Sequence, residues 1–239
     1  MFERKLLSSA LSIETTMIRR NPDGDTPRVH ETAFVDPTAI LCGKIIVEAN
    51  VFIGPYAVIR ADEVNGESEM EPIVIGADSN IQDGVVIHCK SGGGVTIGCG
   101  SSIAHRSIVH GPCVVGDHVF VGFNSVLFNC SVGDGSVVRH NSVIEGCDVP
   151  PGFYIPSTAN IRSNQDLETI ERVTPDNQQL LGKRGAGQPR AGEGLQADAQ
   201  RVLTDGQRPI DCPMALLLRT DMKNRPPGSG SPASPIATA

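Results

Sequence analysis

An aliphatic side chain recurs at every sixth position through the middle of the chain. Ile75, Ile81 and Ile87 open successive units, and after a ten-residue step Ile97, Ile103, Val109, Val115, Val121 and Leu127 continue them. A five-residue step leads to Val132, Val138 and Ile144, and the ladder runs backwards through Ile59, Ile53, Val47, Leu41 and Val35. Four positions after many of these stands a small residue: Ala39, Ala57, Ser79, Ser91, Ser101, Ser107, Ser125, Ser136 or Ser142. Self-similarity at a fixed short period marks a repeat architecture, and hexapeptide units mark a parallel β-helix. No unit buries its apolar face alone, so stacking makes the core. The 26 Gly, two Tyr and absence of Trp suit a turn-rich solenoid better than a packed α/β core.

The ladder resembles that of the known hexapeptide-repeat proteins. The resemblance implies an all-β fold: a left-handed parallel β-helix, three units to an eighteen-residue coil, with a helical or irregular C-terminal tail. Such a helix departs from the usual right-handed parallel crossover. Residues three units apart then share a face of neighbouring coils, about 4.8 Å apart. Ile59, Ile87, Val109 and Leu127 fall on one face, and Arg60, His88, His110 and Phe128 follow them directly. His88 and His110 should therefore stack one coil apart. His105 follows Ile103 by two and belongs to another face. A symmetric oligomer could bring that third histidine from a neighbouring subunit.

The spacing divides the chain into an irregular lead-in (1–28), the β-helix (29–157), a short helix and linker (158–180) and a low-complexity tail with a possible short helix (181–239). A helix is expected around Leu167–Val173, capped by Asp166 or Asn164. Another is expected at residues 6–13 from their leucines and isoleucines, and MALLLR (214–219) should be buried or serve as a docking peptide for a protein partner. Two insertions break the sixes: ADEVNGESEMEP after Arg60, and CKSGGG after His88. The glycines Gly76, Gly98, Gly116 and Gly133 are expected at turns that need unusual φ angles. Net charge is −7, which argues against a nucleic-acid surface. No apolar run reaches the roughly 18 residues of a membrane span, and no signal peptide is read, so a cytoplasmic location is expected. The seven cysteines show no CxxC pair and read as reduced thiols. Cys89, beside His88, is the one to check as a ligand.

Three histidines in this arrangement point to a metal. Neutral imidazole is the commonest metal ligand. Catalytic zinc takes three protein ligands and leaves a fourth position for water, whose pKa falls to about 7. His30, His118 and His140 read as surface residues.

The segments IRADE (59–63), SNIQDGVVIH (79–88), SIAHRSIVHGP (102–112), VGDHVFVGFNSVLFN (115–129) and VPPGFYIPS (149–157) resemble the γ-class carbonic anhydrases. They are similar too to the carboxysome shell-associated protein with a γ-anhydrase domain and to the ferripyochelin-binding-protein-like set. The resemblance implies a homotrimer with metal sites at its subunit interfaces. His88 and His110 would be ligands from one subunit and His105 the ligand from the next. Arg60, Asp62 and Asp83 would assemble the interface, with Arg60 and Asp83 pairing across subunits. Gln82 would hydrogen-bond a metal-bound hydroxide, Asn80 would lie close by, and Glu63 would carry protons outward. The implied activity is reversible hydration of CO2 to bicarbonate. Zn2+ is the implied cofactor, with Fe2+ or Co2+ possible because imidazole suits several metals.

The chain departs from the most-studied family form. CKSGGG has no carboxylate where that form carries a long acidic loop with a second glutamate shuttle, and no residue matches the family's C-terminal site residue. Two other readings stand beside the hydratase: a trimeric scaffold with a weak or vestigial site, and a hexapeptide-repeat acyltransferase, against which the three histidines and the IRADE and NIQDG segments argue.

Overall fold

Aliphatic side chains at the sixfold positions point into a common interior and stack coil upon coil. The computed structural model describes residues 17–67 and 69–177. Each coil gives one short strand to each of three parallel sheets, of eight, seven and seven strands. The first sheet runs from Ile18–Arg19 to Asn160–Ile161, the second from Arg28–Val29 to Asp148–Val149, and the third from Phe34–Val35 to Tyr154–Ile155. The solenoid is a left-handed parallel β-helix. One interior column passes in register from Leu41 through Ile59, Ile87, Val109, Leu127 and Ile144 to Ile161. All of these side chains are buried. The expected register of Ile59, Ile87, Val109 and Leu127 is thus the observed one.

The small residues do more than fit. Ser79, Ser101, Ser107, Ser125, Ser136 and Ser142 are fully buried at the corners. Their hydroxyls donate to backbone carbonyls of the following coil: Ser79 to Gly98 (2.7 Å), Ser101 to Gly116 (2.7 Å), Ser107 to Gly122 (2.8 Å) and Ser125 to Arg139 (2.8 Å). A buried hydroxyl is costly unless it is bonded, so these serines staple the corners as well as fill them.

The glycine column corrects one expectation. Gly76, Gly98, Gly116 and Gly133 are not among the positive-φ residues. They are required by close approach instead. A Cβ on Gly76 would stand 2.8 Å from the Cys99 nitrogen, and one on Gly116 would stand 2.7 Å from the Asp134 nitrogen. The left-handed turns use other residues, among them Arg106, Asn124 and Asn141.

Other boundaries also differ. The strand Ile18–Arg19 lies inside the segment read as lead-in and pairs with Ile40–Gly43. The helix expected around Leu167–Val173 is a single 3-10 turn at Asn164–Leu167, with Asp166 accepting from the backbone of Ser163 at 2.9 Å. Beyond it Arg172 pairs back to Phe153 and lays its guanidinium 4.1 Å over that ring, which ends any helix there. The expectations for 6–13 and 181–239, MALLLR included, lie outside the described residues. Among the described residues, no helix is long and apolar enough to cross a membrane.

The two insertions lie against each other. The backbone of Ser91 donates to Glu63 (2.9 Å) and that of Gly92 to Glu69 (3.0 Å). They leave from the strands Val58–Glu63 and Val86–Lys90, which extend the first sheet at that edge. Cys42, Cys89, Cys113, Cys130 and Cys147 are free and buried.

Candidate metal centre

Strand alternation decides which side chains reach the surface. In Val86–Lys90, Ile87 and Cys89 turn inward while His88 turns out. The register pairs His88 with Arg60 on one side and with His110 on the other, and His110 with Phe128. His88 Nδ1 and His110 Nε2 stand 3.2 Å apart, with ring centroids 5.0 Å apart and planes at 71°. His110 donates its Nδ1–H to the Gly111 carbonyl at 2.9 Å, so Nε2 presents a lone pair. A carbonyl on the far ring nitrogen is the usual support of a metal-ligating histidine.

The donor set fits a first-row divalent metal. Two nitrogens about 2.0–2.1 Å from one tetrahedral zinc stand roughly 3.3 Å apart, close to the spacing of this pair. His88 Nε2 is buried without a hydrogen-bond partner. Carboxylate oxygens of Glu63 at 3.6 Å and Asp62 at 3.9 Å stand beyond hydrogen-bond reach of it. Burial, then His110, then Arg60 push the His88 imidazole below its usual range, which keeps it in the neutral form a metal needs. Cys89 is a different matter. Its side chain is fully buried and burial pushes its thiol up to about 12, so it is no thiolate ligand.

The candidate residues divide between two faces. Arg60, Asp62, Glu63, His88 and His110 belong to strands of the first sheet. Asn80 lies on the third sheet, and Gln82, Asp83 and His105 follow its strands at the corner. Within the first group, Arg60 Nε donates to both oxygens of Asp62, at 3.1 and 3.0 Å. That pair, chiefly the hydrogen bond to Asp62, pushes the guanidinium further up. Within the second, His105 Nδ1 is 3.7 Å from Asp83 Oδ2. Asn80 is almost wholly buried, yet neither side-chain amide atom has a hydrogen-bond partner. Among the described residues, no group of three or more His, Cys, Asp or Glu side chains in one chain is placed to hold a metal ion. The two-histidine face and the single-histidine corner stand on different sheets of the chain.

The register count placed Phe128 beyond His110, but Phe123 beside His105 went unread in the sequence. Phe128 lies 5.1 Å from the His110 ring, and Phe123 lies 5.3 Å from the His105 ring. Each is 42% exposed, high for phenylalanine. The signal was available: each stands eighteen residues, one coil, beyond its histidine.

The bacterial transferase hexapeptide (six repeats) family model matches residues 94–129. The carboxysome assembly protein CcmM of Nostoc sp. is 38% identical over 160 residues, covering 63% of this chain and 28% of that protein. The carbonic anhydrase of Methanosarcina thermophila is 35% identical over 175 residues, covering 65% of this chain and 68% of that enzyme. Among solved structures, a hexapeptide transferase family protein from Anaplasma phagocytophilum superposes with a TM-score of 0.53 at 26% identity, over 64% of this chain and 88% of that one. The chain thus spans about a quarter of the carboxysome protein and two thirds of the anhydrase.

Proposed function

The chain belongs to the γ-class carbonic anhydrase family, and from that premise we propose that it hydrates CO2 reversibly at a metal held between subunits of a homotrimer. One observation carries the reading. His88 and His110 face each other at 3.2 Å on the first sheet, while His105 stands at a different corner of the same chain. Two ligands from one subunit and one from the next complete the three that a catalytic zinc takes. An outward stripe on the first sheet, Val58, Val86, Ile108 and Val126 in register, supports the packing of another copy there. Ile108 is exposed in the single chain.

His88, His105 and His110 would hold Zn2+, with Fe2+ or Co2+ as alternatives. When bound, such an ion supplies Lewis acidity that brings the pKa of a water toward about 7. The chain's own residues do the rest. Gln82 orients the attacking water by a hydrogen bond, and Asn80, whose amide lacks a partner among the described residues, lies on the same face. Glu63 has a side chain 61% exposed and only 3.6 Å from His88, a position suited to passing a proton between the site and buffer. Arg60 and Asp83, both partly exposed, pair across the interface and fix its register.

The test is metal analysis of protein purified without air, with stopped-flow CO2 hydration on the same sample. Stoichiometric metal with hydration is expected. Metal without hydration leaves a scaffold with a silent site. Metal-free protein that transfers an acetyl group overturns the reading in favour of an acyltransferase.

A further inference from the structure

The His105 ring lacks the hydrogen-bonded support that the His110 ring has. The Gly111 carbonyl fixes the far ring nitrogen of His110. The carboxylate oxygen of Asp83 stands 3.7 Å from His105 Nδ1, beyond hydrogen-bond reach. A ligand contributed across an interface must still be aimed before its partner arrives. The corner where His105 sits provides another means.

Phe123 lies one coil beyond His105, with ring centroids 5.3 Å apart and planes at 37°. His140 lies one coil beyond Phe123, stacked at 4.5 Å and 21°. Phe120 meets the His140 ring edge-on at 6.3 Å. The backbone carries the same ladder: Asn124 N–H donates to the His105 carbonyl at 3.1 Å, and Asn141 N–H to the Phe123 carbonyl at 2.8 Å. His140 Nδ1 accepts from the Phe123 N–H at 3.0 Å. That bond fixes the His140 tautomer, with its proton on Nε2. Burial, then Arg139, push this imidazole below its usual range and so favour the neutral form that can accept.

We propose that Phe123 and His140 are positioning residues, a stacked pair of rings that aims the His105 imidazole at the neighbouring subunit. The aromatic column does for His105 what a hydrogen bond to the far ring nitrogen does for His110. The inference rests on the metal reading above and deepens it. It also gives His140 a role that its sequence position did not suggest.

The experiment is a Co2+ titration of metal-free, full-length protein followed by visible absorbance, on wild type, Phe123→Ala, Phe123→Tyr and His140→Ala. Loss of supporting contacts around a metal ligand typically weakens binding about 10- to 100-fold. Phe123→Ala should weaken Co2+ binding about tenfold, His140→Ala by less, and Phe123→Tyr should restore it. Sedimentation should leave the assembly unchanged. Wild-type affinity in both alanine variants overturns the proposal, as does a tyrosine variant no better than alanine. If Phe123→Ala fails to assemble, His140→Ala decides. If wild type takes up no Co2+, the metal reading fails instead, and the ladder is read separately from the His105 ring signals by NMR. Those signals should broaden in Phe123→Ala and stay sharp in Phe123→Tyr; unchanged signals in Phe123→Ala overturn the ladder itself.

Discussion

His88 Nδ1 and His110 Nε2 stand 3.2 Å apart although 22 positions separate them along the chain. An ordinary coil is eighteen residues; the extra four lie within the CKSGGG segment, where the chain leaves the first sheet after Lys90 and enters the second at Val95. The solenoid absorbs the insertion at its edge and keeps the register of the face.

Removing the third histidine should disable every site at once. In the proposed trimer each His105 serves a neighbour, so His105→Ala leaves two ligands per site. Metal content after dialysis should fall from near one per chain to near zero, with the trimer intact by sedimentation. Full occupancy in His105→Ala would show that the ligand set is wrong.

Arg60 is held by Asp62 in its own chain, with Nε to both carboxylate oxygens at 3.1 and 3.0 Å. Reversal to Glu sets a carboxylate beside Asp62 and opposite the proposed Asp83 of the next subunit. Arg60→Glu should shift sedimentation from trimer toward monomer. An unchanged trimer removes Arg60 from the interface.

Stability should depend on pH below the ordinary histidine range. His88 and His140 are both held below the usual 6.5, chiefly by burial. As pH falls, the unfolded chain takes up these protons before the folded one does. Stability is therefore level above about 6.5 and falls below it, until the folded groups also protonate. Melting of metal-free protein from pH 8 to 5 reads this directly, and His88→Gln should flatten the slope. A melting temperature unchanged across that range contradicts the assignment.

Two glycines should respond differently to the same change. At Gly116 a Cβ would stand 2.7 Å from the Asp134 nitrogen and meet its carboxylate too. At Gly135 nothing lies within 4 Å, but φ is +64°. Overpacking costs about 1–3 kcal/mol or more, whereas one left-handed residue costs roughly 1–2 kcal/mol. Gly116→Ala should lower the denaturant midpoint more than Gly135→Ala. The reverse order would mean that φ, not close approach, selects glycine in that column.

The aliphatic ladder was legible because one side chain in six must be apolar whatever its neighbours are. The stacking of His88 on His110 followed from counting once the resemblance to hexapeptide-repeat proteins supplied three units to a coil. The glycine column was misread because spacing identifies where a small residue stands and not whether φ or a neighbouring backbone demands it. The helix after Leu167 failed for a similar reason: a local cap at Ser163 and Asp166 starts a turn, but Arg172 is drawn back to Phe153.

The sequence determined the repeat, because a sixfold period must bury its aliphatic side chains by stacking; with the three-unit coil that its resemblance implies, it also determined the register and the pairing of two histidines. Only the tertiary structure decided that the corner serines bond the next coil and that His105 rests on Phe123 and His140. Those outcomes depend on which atoms meet between coils, and no periodicity along the chain records that.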